Sequence, residues 1–188
     1  MSRRERLDHF LRRALAPLLG LAPDQLRFDR EAKGRPFLRH PGAPDFNLSD
    51  TAGATLLAIS ASGRVGVDLE RTDRQPPVQR LARRWFAPQE SAALALLPDE
   101  QAVLAFLHLW TAKEASCKAT GTGIFGFLPC WQFVTGAADP TLLAVPEDAG
   151  AAERWRFQRL APAPGYTAVI ALRDCPAPVL RGFRLHLD

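Results

Sequence analysis

Residues 64–70 read RVGVDLE, and this alternation narrows what the chain can fold into. In a strand successive side chains point to opposite faces, so Val65, Val67 and Leu69 share one side and Gly66, Asp68 and Glu70 the other. Any fold of this chain has to bury the first side. The second carries two carboxylates at i, i+2, which repel one another unless a cation or basic groups lie close by. Taken alone, such a pair also describes a solvated strand face. The neighbours of this strand therefore decide what it does.

The flanking sequence supplies both helices and strands. Residues 3–20 place Leu7, Phe10, Leu11, Leu15, Leu18 and Leu19 at helical spacing, with Gly20 as a stop. Gly34-Arg35-Pro36 and Pro41-Gly42 are turn chemistry. PDFNLS and ATLLAIS read as strands joined by the short Asp50–Gly53 connection. Beyond RVGVDLE, the segment RQPPVQRLARRWFAPQESAALALLPDE predicts two short helices broken at Pro88 and Pro98. A longer helix follows, capped by Asp99 and ending near Gly121. WQFV, RWRFQRL, YTAVIAL and GFRLHL predict short strands. This order suggests an α+β fold of two similar-sized lobes, 1–62 and 63–188, divided near Ser62-Gly63.

The long helix carries WTAKEASCK, residues 110–118. Trp110, Lys113, Glu114, Cys117 and Lys118 recur at three- and four-residue intervals and are expected to share a face. Glu114 and Lys118 are also the favoured i, i+4 pair of an exposed helix. The apolar stripe Val103, Leu104, Leu107, Trp110 and Cys117, however, turns these charges towards a lobe interface. Asp68, Glu70 and Glu114 make an oxygen-only set without histidine or thiolate, which suits a hard cation such as Mg²⁺. Two lysines beside it suit a pyrophosphate bridging that ion, and the whole set suits phosphoryl transfer.

Charge and cysteine usage narrow the classes further. The net charge of +4 favours an anionic partner, whether nucleic acid, phosphorylated cofactor or acidic protein. No zinc-finger spacing or RNP-like aromatic block supports nucleic acid. Of 24 basic residues only Lys33, Lys113 and Lys118 are lysine, and two of those fall within KEASCK, a hint of a need for compact ammonium groups. Cys117, Cys130 and Cys175 have no metal or disulfide spacing and read as small apolar residues. Apolar runs such as LLAI fall far short of the ~20 residues that span a bilayer. MSRRERLDHF places no apolar stretch behind its arginines, so no signal peptide and a cytoplasmic location are expected.

GVDLE, then RWFAPQE, then WTAKEASCKATGTG resemble, in that order, the signature blocks of the Sfp-type 4′-phosphopantetheinyl transferases. Upstream, GRPFL resembles the family's GKP element and FNLSDTAG its FN[IL]SHS segment, so the likeness runs over roughly residues 5–172. The resemblance implies a pseudo-twofold pair of α+β lobes with coenzyme A in the cleft. It also implies Mg²⁺-dependent transfer of 4′-phosphopantetheine from coenzyme A to a serine of an apo carrier protein, with release of adenosine 3′,5′-bisphosphate. Under it, Asp68, Glu70 and Glu114 are metal ligands, and Glu114 or a water on the metal is the base. Lys118 stabilises the pyrophosphate and Lys113 contacts the coenzyme. Arg35 and Pro36, with Ser49, Asp50 and Thr51, help to hold the coenzyme together with Asp68. A monomer acting on carrier proteins, with neither nucleic acid nor membrane as partner, is the expectation.

The chain departs from the family pattern at three places. Asp50 stands where the family has a histidine that helps to hold the 3′-phosphate, and a carboxylate there opposes a phosphate unless an arginine or water intervenes. Basic residues that many members carry ahead of the first helix are missing, which leaves Arg3, Arg4, Arg6 and Arg12 as substitutes. Ser116 replaces an aromatic side chain. A non-catalytic carrier-protein binder is the alternative these departures raise.

Overall fold

The structure, a computed structural model, describes residues 2–175 and 178–183. Its first half holds helix α1 (Arg3–Leu15) and the hairpins β1–β2 (Phe28–Arg30, Pro36–Leu38) and β3–β4 (Asp45–Thr51, Ala54–Ser60). Its second half opens with β5 (Arg64–Arg71), followed by α2 (Val78–Trp85), α3 (Pro88–Ala95) and α4 (Asp99–Thr120). The pair β6–β7 (Gln132–Phe133, Leu142–Ala144) and the strands β8 (Trp155–Leu160) and β9 (Tyr166–Arg173) complete it. The main sheet is antiparallel in the order β5-β9-β8. The α+β class is as expected from the sequence.

Local chemistry explains the element boundaries. Ser2 and Glu5 form a reciprocal capping box at the start of α1, with the Ser2 N–H 2.6 Å from Glu5 Oε2. The helix stops at Leu15 ahead of Pro17 and tightens into a short turn that ends at left-handed Gly20. For α4 the expected Asp99 cap is corrected. Pro98 occupies the cap position, and Asp99 and Glu100 lie in the first turn, where their charges favour the positive helix end. The turn chemistry around Gly34 belongs to the unexpected hairpin β1–β2. The strand expected over GFRLHL falls mostly outside the described residues. Among the described residues no helix is long and apolar enough to cross a membrane.

Three apolar clusters form the core, the smallest of them, with Val65, Val67 and Leu172, around β5 itself. Leu15, Leu26, Leu38 and Phe46 centre another, while Phe106, Leu107, Trp131, Trp155 and Val169 belong to the largest, built around α4. The β3–β5 seam has an unusual ladder. Asp45, Asn47 and Ser49 point across from β3 and accept the backbone N–H groups of Val65, Val67 and Leu69, at 2.7, 2.9 and 3.1 Å. Side chains at i, i+2 and i+4 thus replace backbone pairing and fix the register between the two strands.

On the other side, β5 lies directly on α4. A Cβ on Gly66 would stand 2.0 Å from the Ala115 carbonyl oxygen, so only glycine allows this approach. The contact also settles the two readings of RVGVDLE. Asp68 is 3% exposed and Glu70 8%, so the acidic face is enclosed rather than solvated.

Candidate active site

The close approach of β5 and α4 brings Asp68 to the last turn of the helix. Lys118 Nζ donates to Asp68 Oδ1 at 2.6 Å and to Ser49 Oγ at 3.1 Å. Ser49 donates in turn to Asp68 Oδ1 at 3.0 Å. Glu114, one turn before Lys118, stands 3.9 Å from the same ammonium. Glu70 pairs with Arg74 at 2.5 Å. Ser49, Asp68, Glu114 and Lys118 therefore form one cluster, with Glu70 on its edge.

Negative charge exceeds positive charge there. Burial pushes the Glu114 carboxyl up to about 7, and the neighbouring Asp68 and Glu70 carboxylates add to the rise while Lys118 opposes it. Burial also raises Glu70, against the hydrogen bond from Arg74. Asp68 Oδ2 is buried with no hydrogen-bond partner. Among the described residues, no group of three or more His, Cys, Asp or Glu side chains is arranged to hold a metal ion. The oxygen-only donors, the orphaned Oδ2 and the raised carboxyls nevertheless fit a hard divalent cation by their chemistry. The fit lies in charge and donor type rather than in a ready-made ligand geometry.

Lys113 is not beside this cluster. Residues 113 and 118 lie about 140° apart on a helix of 3.6 residues per turn, whereas 114 and 118 nearly eclipse. Lys113 is fully buried and donates to Glu90 Oε2 at 2.7 Å, to the Leu128 carbonyl at 2.9 Å and to the Trp131 carbonyl. Glu90 also accepts the N–H groups of Ala87 and Phe133, at 3.0 and 2.9 Å. The pair ties α3, α4 and β6 together, and the expected coenzyme contact of Lys113 is corrected to an internal brace. Sequence reasoning passed over Glu90, although it is the acid of the RWFAPQE block.

Arg35 is likewise an internal brace in place of the expected coenzyme contact. It is 6% exposed. Its guanidinium grips both Asp45 oxygens, at 2.9 and 2.7 Å, and donates to the carbonyls of Phe46 and Val65. Arg35 Nε caps the Lys118 carbonyl at 2.9 Å, and Arg64 caps that of Ala119 at 3.1 Å. Two arginines at the negative end of α4 hold the turn that carries Lys118. Pro36 pairs with Arg30 in the β1–β2 hairpin.

Asp50 and Thr51 line a separate open depression of about 540 Å³ at the tip of the β3–β4 hairpin, with Arg3, Arg6 and Thr55. Arg3 Nε donates to Asp50 Oδ2 at 2.6 Å, and Thr55 Oγ1 to Oδ1 at 2.5 Å. Burial works to raise the Asp50 carboxyl, but hydrogen bonds from Thr55 and Arg3 outweigh it and hold the group below its usual range. An arginine from the N-terminal helix thus meets the Asp50 carboxylate.

The family model of the 4′-phosphopantetheinyl transferase superfamily matches residues 64–171, the stretch that runs from β5 through α4 and into β9. The chain belongs to this family. It is 41% identical over 117 residues to the 4′-phosphopantetheinyl transferase HetI of Nostoc sp., covering 61% of this chain and 49% of that protein. To the 4′-phosphopantetheinyl transferase AcpT of Salmonella typhimurium it is 34% identical over 133 residues, covering 70% of this chain and 61% of that protein. The crystal structure of holo-[acyl-carrier-protein] synthase of Thermotoga maritima aligns with a TM-score of 0.46 at 21% identity, over 59% of this chain and 62% of that one. The chain spans about half the length of the curated relatives it matches.

Proposed function

We propose that this chain transfers the 4′-phosphopantetheine arm of coenzyme A to a serine of an apo acyl, polyketide or peptidyl carrier protein. The reaction is Mg²⁺-dependent and releases adenosine 3′,5′-bisphosphate. The observation that carries this reading is the enclosed Asp68–Lys118–Glu114 cluster within the segment that the family model matches. Asp68, Glu70 and Glu114 would hold Mg²⁺, which would supply positive charge against the phosphates. The serine oxygen of the carrier bonds to the pantetheine-side phosphorus, and the bond from that phosphorus to the bridging oxygen breaks. Lys118, fixed by Asp68 and Ser49, meets the charge that grows on the bridging oxygen. Glu114, beside Lys118 at the end of α4, takes the serine proton as the general base.

The depression beside Asp50 and Thr51 receives the phosphorylated nucleoside of the coenzyme, with Arg3 as the cation and Asp50 as its anchor. That pairing removes the repulsion that favoured a non-catalytic binder. The two lobes, 1–62 and 63–188, border the substrate cleft, and the enzyme works in the cytoplasm as a monomer. Incubation with coenzyme A, Mg²⁺ and a panel of apo-carriers, read by intact mass, tests the proposal. One carrier should gain the mass of a single phosphopantetheine, and no gain on any carrier would overturn it.

A further inference from the structure

We propose that Glu31 and Arg64 are positioning residues for the transfer step: their ion pair locks the last turn of α4 to the start of β5 and so sets where Lys118 stands. The inference rests on the transferase reading above. Neither residue belongs to the acid–lysine cluster, and both act through the backbone behind it.

The turn EAKGR, residues 31–35, supplies the first half of the brace. The Glu31 N–H donates to the Arg35 carbonyl at 2.9 Å, and the Gly34 N–H to the Glu31 carbonyl at 2.8 Å. Glu31 and Arg35 thus close the β1–β2 hairpin as an opposed pair, whose side chains share one face. Both reach the C-terminal end of α4. Arg35 caps the Lys118 carbonyl, while Arg64 grips both Glu31 oxygens, at 2.6 and 3.0 Å, and gives its Nε to the Ala119 carbonyl. Glu31 Oε1 also lies 3.6 Å from Arg35 Nη1, which joins the two caps. Gly121 ends the helix at φ +73°, and a Cβ there would stand 2.7 Å from Glu31 Oε2, so the carboxylate packs on the terminating backbone. From the same turn, the Lys33 ammonium lies 4.7 Å from the Phe127 ring centroid, a second tie to the segment beyond α4.

The last carbonyls of a helix have no partner within it, and an unbraced end frays. Here that end carries Lys118, whose ammonium stands 2.6 Å from Asp68 Oδ1. Arg64 opens β5, the strand that carries Asp68, so the brace joins the two backbones whose side chains meet. The hydrogen bond from Arg64 holds the Glu31 carboxyl below its usual range, which keeps the pair ionised. Lys118 has a flexible stem, and a backbone held at the 118 and 119 carbonyls limits how far its ammonium wanders. Small displacements of a group that acts on the reacting atoms cost rate steeply.

The test uses Glu31→Gln, which keeps the shape and removes the charge, and Arg64→Lys, which keeps the charge and removes the planar fork. The Glu31 side chain is 28% exposed, so glutamine is tolerated there. Each change is made in wild type and in Lys118→Ala, and transfer to the apo-carrier panel is followed by intact mass. In wild type kcat should fall on the order of tenfold, with the KM of coenzyme A and of carrier held within about twofold. In Lys118→Ala the same changes should lower kcat by about twofold at most, because the group they position is gone. Equal losses in both backgrounds overturn the proposal, since a merely structural brace acts whether or not Lys118 is present. An unchanged kcat overturns it, as does a rise confined to the coenzyme A KM, which would mark the turn as a coenzyme contact. Amide hydrogen exchange over residues 117–122, without substrates, reads the brace independently of turnover and should quicken in Glu31→Gln. If wild type modifies no carrier, the transferase reading falls; faster exchange then still supports the brace, and unchanged exchange overturns that as well.

Discussion

Strand β3 serves two regions with opposite electrostatics. Ser49 faces the β5–α4 junction, where Asp68, Glu70 and Glu114 outnumber the Lys118 ammonium and one Asp68 oxygen has no partner. Asp50, the next residue, faces the hairpin tip, where Arg3 and Thr55 occupy both of its oxygens. The first region is short of positive charge and suits an incoming cation. The second is internally matched, so its carboxylate steadies an arginine rather than seeking one. Asp68 and Asp50 therefore lie in opposite electrostatic surroundings, set by their neighbours.

The comparison breaks most sharply at the junction. Asp68→Ala or Glu114→Ala should nearly abolish transfer, with a loss of roughly 3 kcal/mol or more in transition-state stabilisation. Near-normal turnover of either variant at saturating coenzyme A would sink the assignment. Lys118→Ala should come next: under the proposed role its charge meets the developing oxygen rather than the ground state, so kcat should fall more than KM rises. Arginine at 118 should rescue only partly, since a planar fork does not fit a compact ammonium site. A defect confined to KM would remove Lys118 from the chemical step.

A smaller effect separates the two regions by pH. Glu114 rises from an ordinary 4.5 to about 7 in the folded chain, so the folded state binds the extra proton. Its contribution to stability is fully present below about 4.5 and is lost as pH rises through about 7. Asp50 is lowered, so its contribution is present above its ordinary 3.8 and is lost as pH falls through the depressed value. Melting curves of the metal-free protein should therefore decline from pH 5 towards pH 8 in a part that Glu114→Gln removes. Added Mg²⁺ should suppress the same decline, because the cation favours the ionised carboxyls. A decline that Glu114→Gln leaves intact would assign it to another group.

Much of the junction was legible in the sequence because its signals are local. Strand alternation paired Asp68 with Glu70, and helical spacing paired Glu114 with Lys118. Contacts between distant segments left weaker traces. Nothing in the pattern of FNLS announces that Asn47 and Ser49 accept backbone N–H groups of β5, since such bonds have no sequence period. Lys113 was grouped with Lys118 by interval, yet the turn angle between them sends it into the core and onto Glu90. Arg35 carried the family's expectation of a nucleotide contact, but its buried hydrogen bonds to Asp45 and the end of α4 join segments far apart in the chain. At the tip, the unusual Asp50 marked the position, and the arginine-rich start of the chain supplied the candidate partners. Which of Arg3, Arg4, Arg6 and Arg12 pairs with it needed three dimensions.

The smallest expected effect is the one that tests the tip most directly. If Arg3, steadied by Asp50, receives the 3′-phosphate, wild type should prefer coenzyme A clearly over its 3′-dephosphorylated form. Asp50→His should then weaken coenzyme A, because it releases Arg3 from its 2.6 Å bond and leaves the guanidinium to reorder on each binding event. The loss should be about 1 kcal/mol, the usual worth of one hydrogen bond, and should largely spare dephospho-coenzyme A. Arg3→Ala should erase the preference between the two coenzymes while leaving the Asp68–Lys118 pair intact. Direct repulsion by Asp50 predicts the reverse: little preference in wild type, and tighter coenzyme A once histidine is restored. Calorimetric titration of both coenzymes into the three proteins separates the accounts by sign. The arginine account is favoured because Thr55 and Arg3 already take both Asp50 oxygens, leaving the carboxylate charge largely offset before any phosphate arrives.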